Sequence, residues 1–93
     1  MTPEGKVKDK VKKVLKEVKA YYVMPATGGY GVSGAPDFVV CHDGFFFGIE
    51  CKAGDNKPTA LQMKHLTEIR DAGGKSIVIN EDNLHELKDF LTK

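Results

Sequence analysis

The sequence predicts one α/β sandwich, ordered α-β-β-β-α-β-α around a mixed four-stranded sheet. Three observations carry that expectation. An apolar stripe at helical spacing runs through a lysine-rich first segment. Two runs rich in Phe, Val and Ile flank an Asp-Gly pair, the strongest short hairpin signal. Two further helical patterns are separated by a short β-branched run. The chain has 93 residues, 41% hydrophobic and 29% charged, which suits a single globular domain over residues 1–93.

Pro3 stands where a helix tolerates proline best, in its first turn. Val7, Val11, Val14, Leu15 and Val18 then recur at helical spacing, so the first helix is expected over about residues 3–19. Tyr21 to Met24 reads as a short strand. Residues 27–36 form a glycine-rich loop that lacks the Lys-Ser/Thr ending of a phosphate-binding P-loop. Its glycines either bring backbone close to a ligand or simply connect. Residues 37–41 and 45–52 read as strands joined through His42-Asp43-Gly44-Phe45. Thr59 to Ala72 is the second helix, stopped by Gly73-Gly74. Ser76 to Ile79 is the last strand, reached by a right-handed crossover and so parallel to 45–52. Asn80 is expected to cap a third helix with the stripe Leu84, Leu87 and Leu91 and with Phe90 beside it.

Net charge is 14 − 13 = +1, so the total says little about partners. The distribution says more. Seven of the 14 basic residues are Lys6, Lys8, Lys10, Lys12, Lys13, Lys16 and Lys19, whereas the C-terminal stretch leans acidic with Glu81, Asp82, Glu86 and Asp89. The lysine-dense segment either faces phosphates or is a solvated helix face. Two cysteines do not make a disulfide scaffold. No apolar run has membrane-spanning length, and the N-terminus is charged where a signal peptide needs apolar residues. A cytoplasmic protein in a reducing compartment, with no membrane partner, is the expectation.

The hairpin fixes a register. If Asp43 and Gly44 are the central residues of a two-residue turn, His42 pairs with Phe45 and Asp37 lies opposite Glu50. Directly opposed side chains share a face, with Cβ atoms roughly 4.5–5.5 Å apart. Lys52, two residues beyond Glu50, projects from that face too. Like charges so placed destabilise a sheet unless something compensates. A divalent cation, a shared proton, or an Asp–Glu–Lys ion cluster would each do so. The same register separates Cys41 from Cys51, which points away with Phe45, Phe47 and Ile49. The two cannot share a metal, and both are expected in the core. His42, His65 and His85 lack metal-ligand spacing. Gln62 shares the inward stripe of the second helix with Leu66 and Ile69. It either closes a Thr59–Gln62 capping box or reaches toward Lys52 and the attacking water.

Pro36-Asp37 followed by Glu50-Cys51-Lys52 resembles the PD-(D/E)xK nuclease signature. Gly34-Ala35-Pro36-Asp37-Phe38-Val39-Val40, Gly48-Ile49-Glu50-Cys51-Lys52 and Pro58-Thr59-Ala60-Leu61-Gln62 more closely resemble the VRR-NUC (virus-type replication-repair nuclease) branch, over nearly the whole chain. The resemblance implies a restriction-endonuclease-like fold and a metal-dependent endonuclease that hydrolyses DNA. It implies Asp37, Glu50, Lys52 and Gln62 as the catalytic set. Asp37, Glu50 and the backbone carbonyl of Cys51 would hold Mg²⁺ or Mn²⁺, with Glu4 either near the metal or simply a favourable charge at a helix N-terminus. It also implies a homodimer acting on branched DNA such as Holliday junctions. Apart from the resemblance, Tyr21, Tyr22 or Phe46 is the expected source of an apolar partner face. Two rival readings are a non-catalytic nucleic-acid-binding module using the lysine-rich helix and a structural protein with an ion-paired sheet edge.

Overall fold

In the computed structural model, residues 1–26 and 33–92 are described. Residues 27–32 of the glycine-rich loop lie outside them, so neither reading of that loop is decided.

Helix α1 (Pro3–Glu17) begins where the Thr2 hydroxyl accepts from the Gly5 N–H at 3.0 Å, with Pro3 in the first turn. It ends two residues before the expected position. Lys19 takes a positive φ of 61°, and the Ala20 N–H reaches back to the Leu15 carbonyl at 2.9 Å. That is a Schellman-type stop built on lysine instead of glycine, which the sequence pattern does not announce.

The sheet runs β1-β2-β3-β4, with β1 at Tyr21–Val23, β2 at Phe38–His42, β3 at Phe45–Cys51 and β4 at Lys75–Ile79. β1 and β3 lie antiparallel to β2, and β4 lies parallel to β3. Asp43 and Gly44 both have positive φ, 51° and 83°, the signature of a type I′ turn. His42 therefore pairs with Phe45, and the ladder continues to Phe38 opposite Ile49, in the expected register. Helix α2 (Ala60–Asp71) connects β3 to β4.

One face of the sheet is fully covered. Phe38, Val40, Phe47, Ile49, Cys51 and Ile79 pack against Val7, Val11 and Leu15 of α1 and against Leu87 and Leu91 of helix α3 (Leu87–Thr92). Among the described residues, the other face is covered over β3 and β4, where α2 lies. Gly48 permits that approach, because a Cβ there would fall 2.4 Å from Ile69 Cδ1 and 3.2 Å from Pro36 Cγ. The buried Ser76 hydroxyl donates to the Leu66 carbonyl at 2.8 Å and ties the layers together.

Three expectations are corrected. Cys41 is exposed, not a core residue, because α2 does not extend over β2. Tyr22 is half-buried and meets Phe38 edge-on at 5.7 Å, so it belongs to the core face and not to an open partner surface. Asn80 caps no helix. Its side-chain oxygen accepts from the Asp82 and Asn83 N–H groups in a turn, and a 3-10 turn at Leu84–Glu86 precedes α3.

Two glycines with positive φ give a clean stability test. A methyl at Gly44 meets nothing within 4 Å, whereas one at Gly34 (φ 81°) would lie 2.6 Å from Leu61 Cγ and 3.0 Å from the Leu61 carbonyl. Gly44→Ala should cost about 1 kcal/mol for the backbone conformation alone. Gly34→Ala should cost roughly 1–3 kcal/mol more, from overpacking. Urea unfolding of both variants measures the difference; equal losses would contradict the close packing of this segment on α2.

Candidate active site

The end of the hairpin farthest from its turn brings the charged residues together. Asp37 lies one residue before β2 and has left the ladder. Its Oδ2 accepts from the Cys51 N–H at 2.8 Å instead. A side-chain carboxylate thus takes the place of a backbone acceptor, fixing Asp37 against β3. Glu50, the penultimate residue of β3, is only 2% exposed, on the α2 side of the sheet. Lys52 directly follows the strand, held by its N–H to the Ile79 carbonyl at 2.9 Å, and its Nζ stands 3.6 Å from Glu50 Oε2. Asp37, Glu50 and Lys52 therefore converge, as the register requires.

Two further groups join from α1. Lys8 Nζ lies 3.5 Å from Asp37 Oδ1 and 3.8 Å from Glu4 Oε2. Glu4 therefore reaches the site through Lys8. Lys8 itself is not among the sequence-predicted site residues. Its only signal is the Glu4–Lys8 spacing of one helical turn, which does not reveal which part of the sheet the helix packs against. Glu81 is a second unforeseen contributor. Its carboxylate accepts from the Gly54 N–H at 3.0 Å and anchors the turn that follows Lys52. Beside these residues lies a groove of about 410 Å³ lined by Thr2, Pro3, Glu4, Ala53, Gly54, Asn56 and Glu81.

The electrostatics are those of a crowded anionic site. Burial above all, and the Asp37 charge next, push the Glu50 carboxyl up from 4.5 to about 7. Lys52 opposes the shift and Glu4 adds to it. Glu50 Oε1 is buried and has no hydrogen-bond partner among the described residues. Such an oxygen is rare in a folded protein and points to a missing partner. Burial also raises the Cys51 thiol, with Asp37 and Glu50 adding to the effect, so its sulfur stays protonated in the metal-free protein, packed in the apolar core.

These donors fit a hard divalent cation. Among the described residues no three His, Cys, Asp or Glu side chains gather closely enough to ligate one ion. Two carboxylates, however, are what Mg²⁺ commonly takes from a protein, with water and substrate phosphate completing its shell. Gln62 stands elsewhere. Its Oε1 accepts from the Thr59 N–H at 2.9 Å, its own N–H donates to the Thr59 hydroxyl at 3.2 Å, and the capping box is complete. No bond from Gln62 to Lys52 is present among the described residues.

A solved structure described as a VRR_NUC domain superposes on this chain with a TM-score of 0.80 at 24% identity, covering 96% of this chain and 97% of that one. The chain therefore has the fold of a VRR_NUC domain, including the α-β-β-β-α-β-α order. No family model and no curated protein matches the sequence.

The raised Glu50 pKa fixes a pH dependence. The folded protein holds the Glu50 proton up to about pH 7, while the unfolded chain releases it near 4.5. Between those values the native state binds more protons, so stability falls as pH rises and levels off above about 7. The full swing is on the order of 3 kcal/mol. Urea unfolding in EDTA from pH 5 to 8 should show this decline, and Glu50→Gln should flatten it and exceed the wild type at pH 8. An unchanged slope in Glu50→Gln would assign the titration elsewhere.

Proposed function

We propose that the chain is a metal-dependent nuclease that hydrolyses DNA phosphodiester bonds. The observation that carries this reading is the buried Glu50 Oε1 beside Asp37, without a hydrogen-bond partner among the described residues, with an ammonium 3.6 Å from the other oxygen of Glu50. A structural ion cluster rarely leaves a buried oxygen unpaired. The likeness to a VRR_NUC domain supports the same reading at the level of the fold.

In this account Asp37, Glu50 and the Cys51 backbone carbonyl hold Mg²⁺ or Mn²⁺. The ion, when bound, lowers the pKa of its water and neutralises charge that develops on the phosphate. Lys52 draws the Glu50 pKa down, against burial and the Asp37 charge, and presents positive charge beside the attacking water. The Cys51 N–H holds Asp37 in place. Glu4 restrains Lys8, so that the Lys8 ammonium shields Asp37 before the substrate arrives. Gln62 acts through the start of α2, as its cap. The lysine-rich α1 supplies charge for DNA, and a purely binding role would need no such carboxylate pair.

Branched DNA such as a Holliday junction is the proposed substrate, and a homodimer the acting species, because paired cuts need paired sites. The uncovered sheet face favours this. Tyr21, Cys41 and Phe46 stand side by side across β1, β2 and β3, and Tyr21 and Phe46 are 71% and 46% exposed. A groove of about 410 Å³ lined by Phe46, His65, Glu68, Ile69, Ala72 and Gly74 adjoins them. An apolar patch can meet its own copy across a two-fold axis.

Two measurements test the proposal. Lys52→Ala and Asp37→Ala should each lower the Mg²⁺-dependent cleavage rate at least ~100-fold with the circular dichroism spectrum unchanged. Undiminished cutting by Lys52→Ala protein would refute the assignment. On gel filtration at micromolar concentration the protein should elute as a dimer, and Tyr21→Arg with Phe46→Arg as a monomer; a monomeric wild type would remove the homodimer from the account.

A further inference from the structure

The lysines of α1 stand in two rows, and only one of them begins at the carboxylates. Residues four apart on a helix lie on the same face. Glu4, Lys8, Lys12 and Lys16 are such a series, and Lys8 meets both Asp37 and Glu4. Lys12 has Asp9 at 3.9 Å, a solvent-exposed pair of little strength. Lys16 is exposed and makes no ion pair among the described residues. This row is a line of amines leading out of the site.

The second row, Lys6, Lys10 and Lys13 with Glu17, turns toward the C-terminal elements. Lys6 and Lys10 line a groove with Glu81 and Leu84, and Glu81 feels the Lys10 charge. Glu17 pairs with Lys88 at 2.6 Å. Glu81 therefore stands beside the start of this row and Lys88 meets its last member, Glu17, and its course does not meet Asp37 or Glu50.

We propose that Lys8, Lys12 and Lys16 form the track that carries the phosphates of the cleaved strand away from the active site, and that the Lys6–Lys10–Lys13 row takes no part. The inference rests on the nuclease reading. Its dimensions suit the task. Eight residues of helix rise about 12 Å from Lys8 to Lys16. A track of that length can meet more than one phosphate of a single strand.

Two double variants remove equal charge from the two rows: Lys12→Ala with Lys16→Ala, and Lys6→Ala with Lys13→Ala. Binding is measured by fluorescence anisotropy on a labelled four-way junction and a linear duplex. Ca²⁺ replaces Mg²⁺, all proteins carry Lys52→Ala, and salt runs from about 50 to 200 mM. The first pair should flatten the dependence of log K on log salt by about 1.8, at 0.9 per lost contact, and weaken binding at least ~10-fold at mid-range salt. The second pair should leave the slope within about 0.5 of the parent. With Lys52 restored and Mg²⁺ present, the first pair should raise KM with kcat nearly unchanged.

Equal losses from the two pairs would mean that net charge alone matters and would overturn the track, as would a larger loss from the second pair or salt-insensitive binding by the parent. A wild type that binds DNA but leaves both DNAs uncut in Mg²⁺ would sink the nuclease reading instead, while the two slopes would still decide where the phosphates lie.

Discussion

A carboxylate that is 2% exposed, facing a second carboxylate across a two-residue hairpin, is the arrangement on which this fold is organised. Desolvation and like charge both oppose ionisation of Glu50. The surroundings answer with Lys52 beside Glu50 and Lys8 beside Asp37. Each ammonium stands at 3.5 Å or more from its carboxylate, and one Glu50 oxygen has no partner among the described residues. The compensation is incomplete in the protein alone. A divalent cation between the strands would complete it and would return Glu50 to its charged form.

Asymmetric coverage of the sheet gives the molecule its working surfaces. α1 and α3 close one face over a continuous apolar core, so the position of α1 is fixed and its polar sides are set relative to the carboxylates. α2 closes only half of the other face, which leaves Tyr21, Cys41 and Phe46 in the open. A small domain that buries half a sheet face gives up apolar burial it can ill spare. A partner copy on that face would restore it. The same layering places a lysine row at the site on one flank of α1 and Glu81 beside the lysines of the other.

Local chemistry made much of this legible in the sequence. Asp43-Gly44 dictated a type I′ turn, and the turn dictated the register that sets Asp37 near Glu50, because side chains alternate strictly along a strand. The Thr59–Gln62 spacing likewise specified the capping box that formed. What remained hidden depends on how layers meet. Cys41 alternates like a core residue, yet it is exposed, since the length and path of α2 decide which strands it covers. Tyr22 and Tyr21 are indistinguishable by type, and only the pairing of β1 with β2 sends one inward. Lys8 is one lysine among seven until α1 docks beside Asp37. Asn80 has the residue type of a cap, but its oxygen closes a turn first.

Crystals grown or soaked with Mn²⁺ and measured for anomalous scattering test the central claim most directly. A single strong peak within bonding distance of an Asp37 oxygen and of Glu50 Oε1 is the expected result. A carboxyl–carboxylate hydrogen bond between Asp37 and Glu50 with no manganese beside it would contradict the account, because a shared proton would then be what holds the two together.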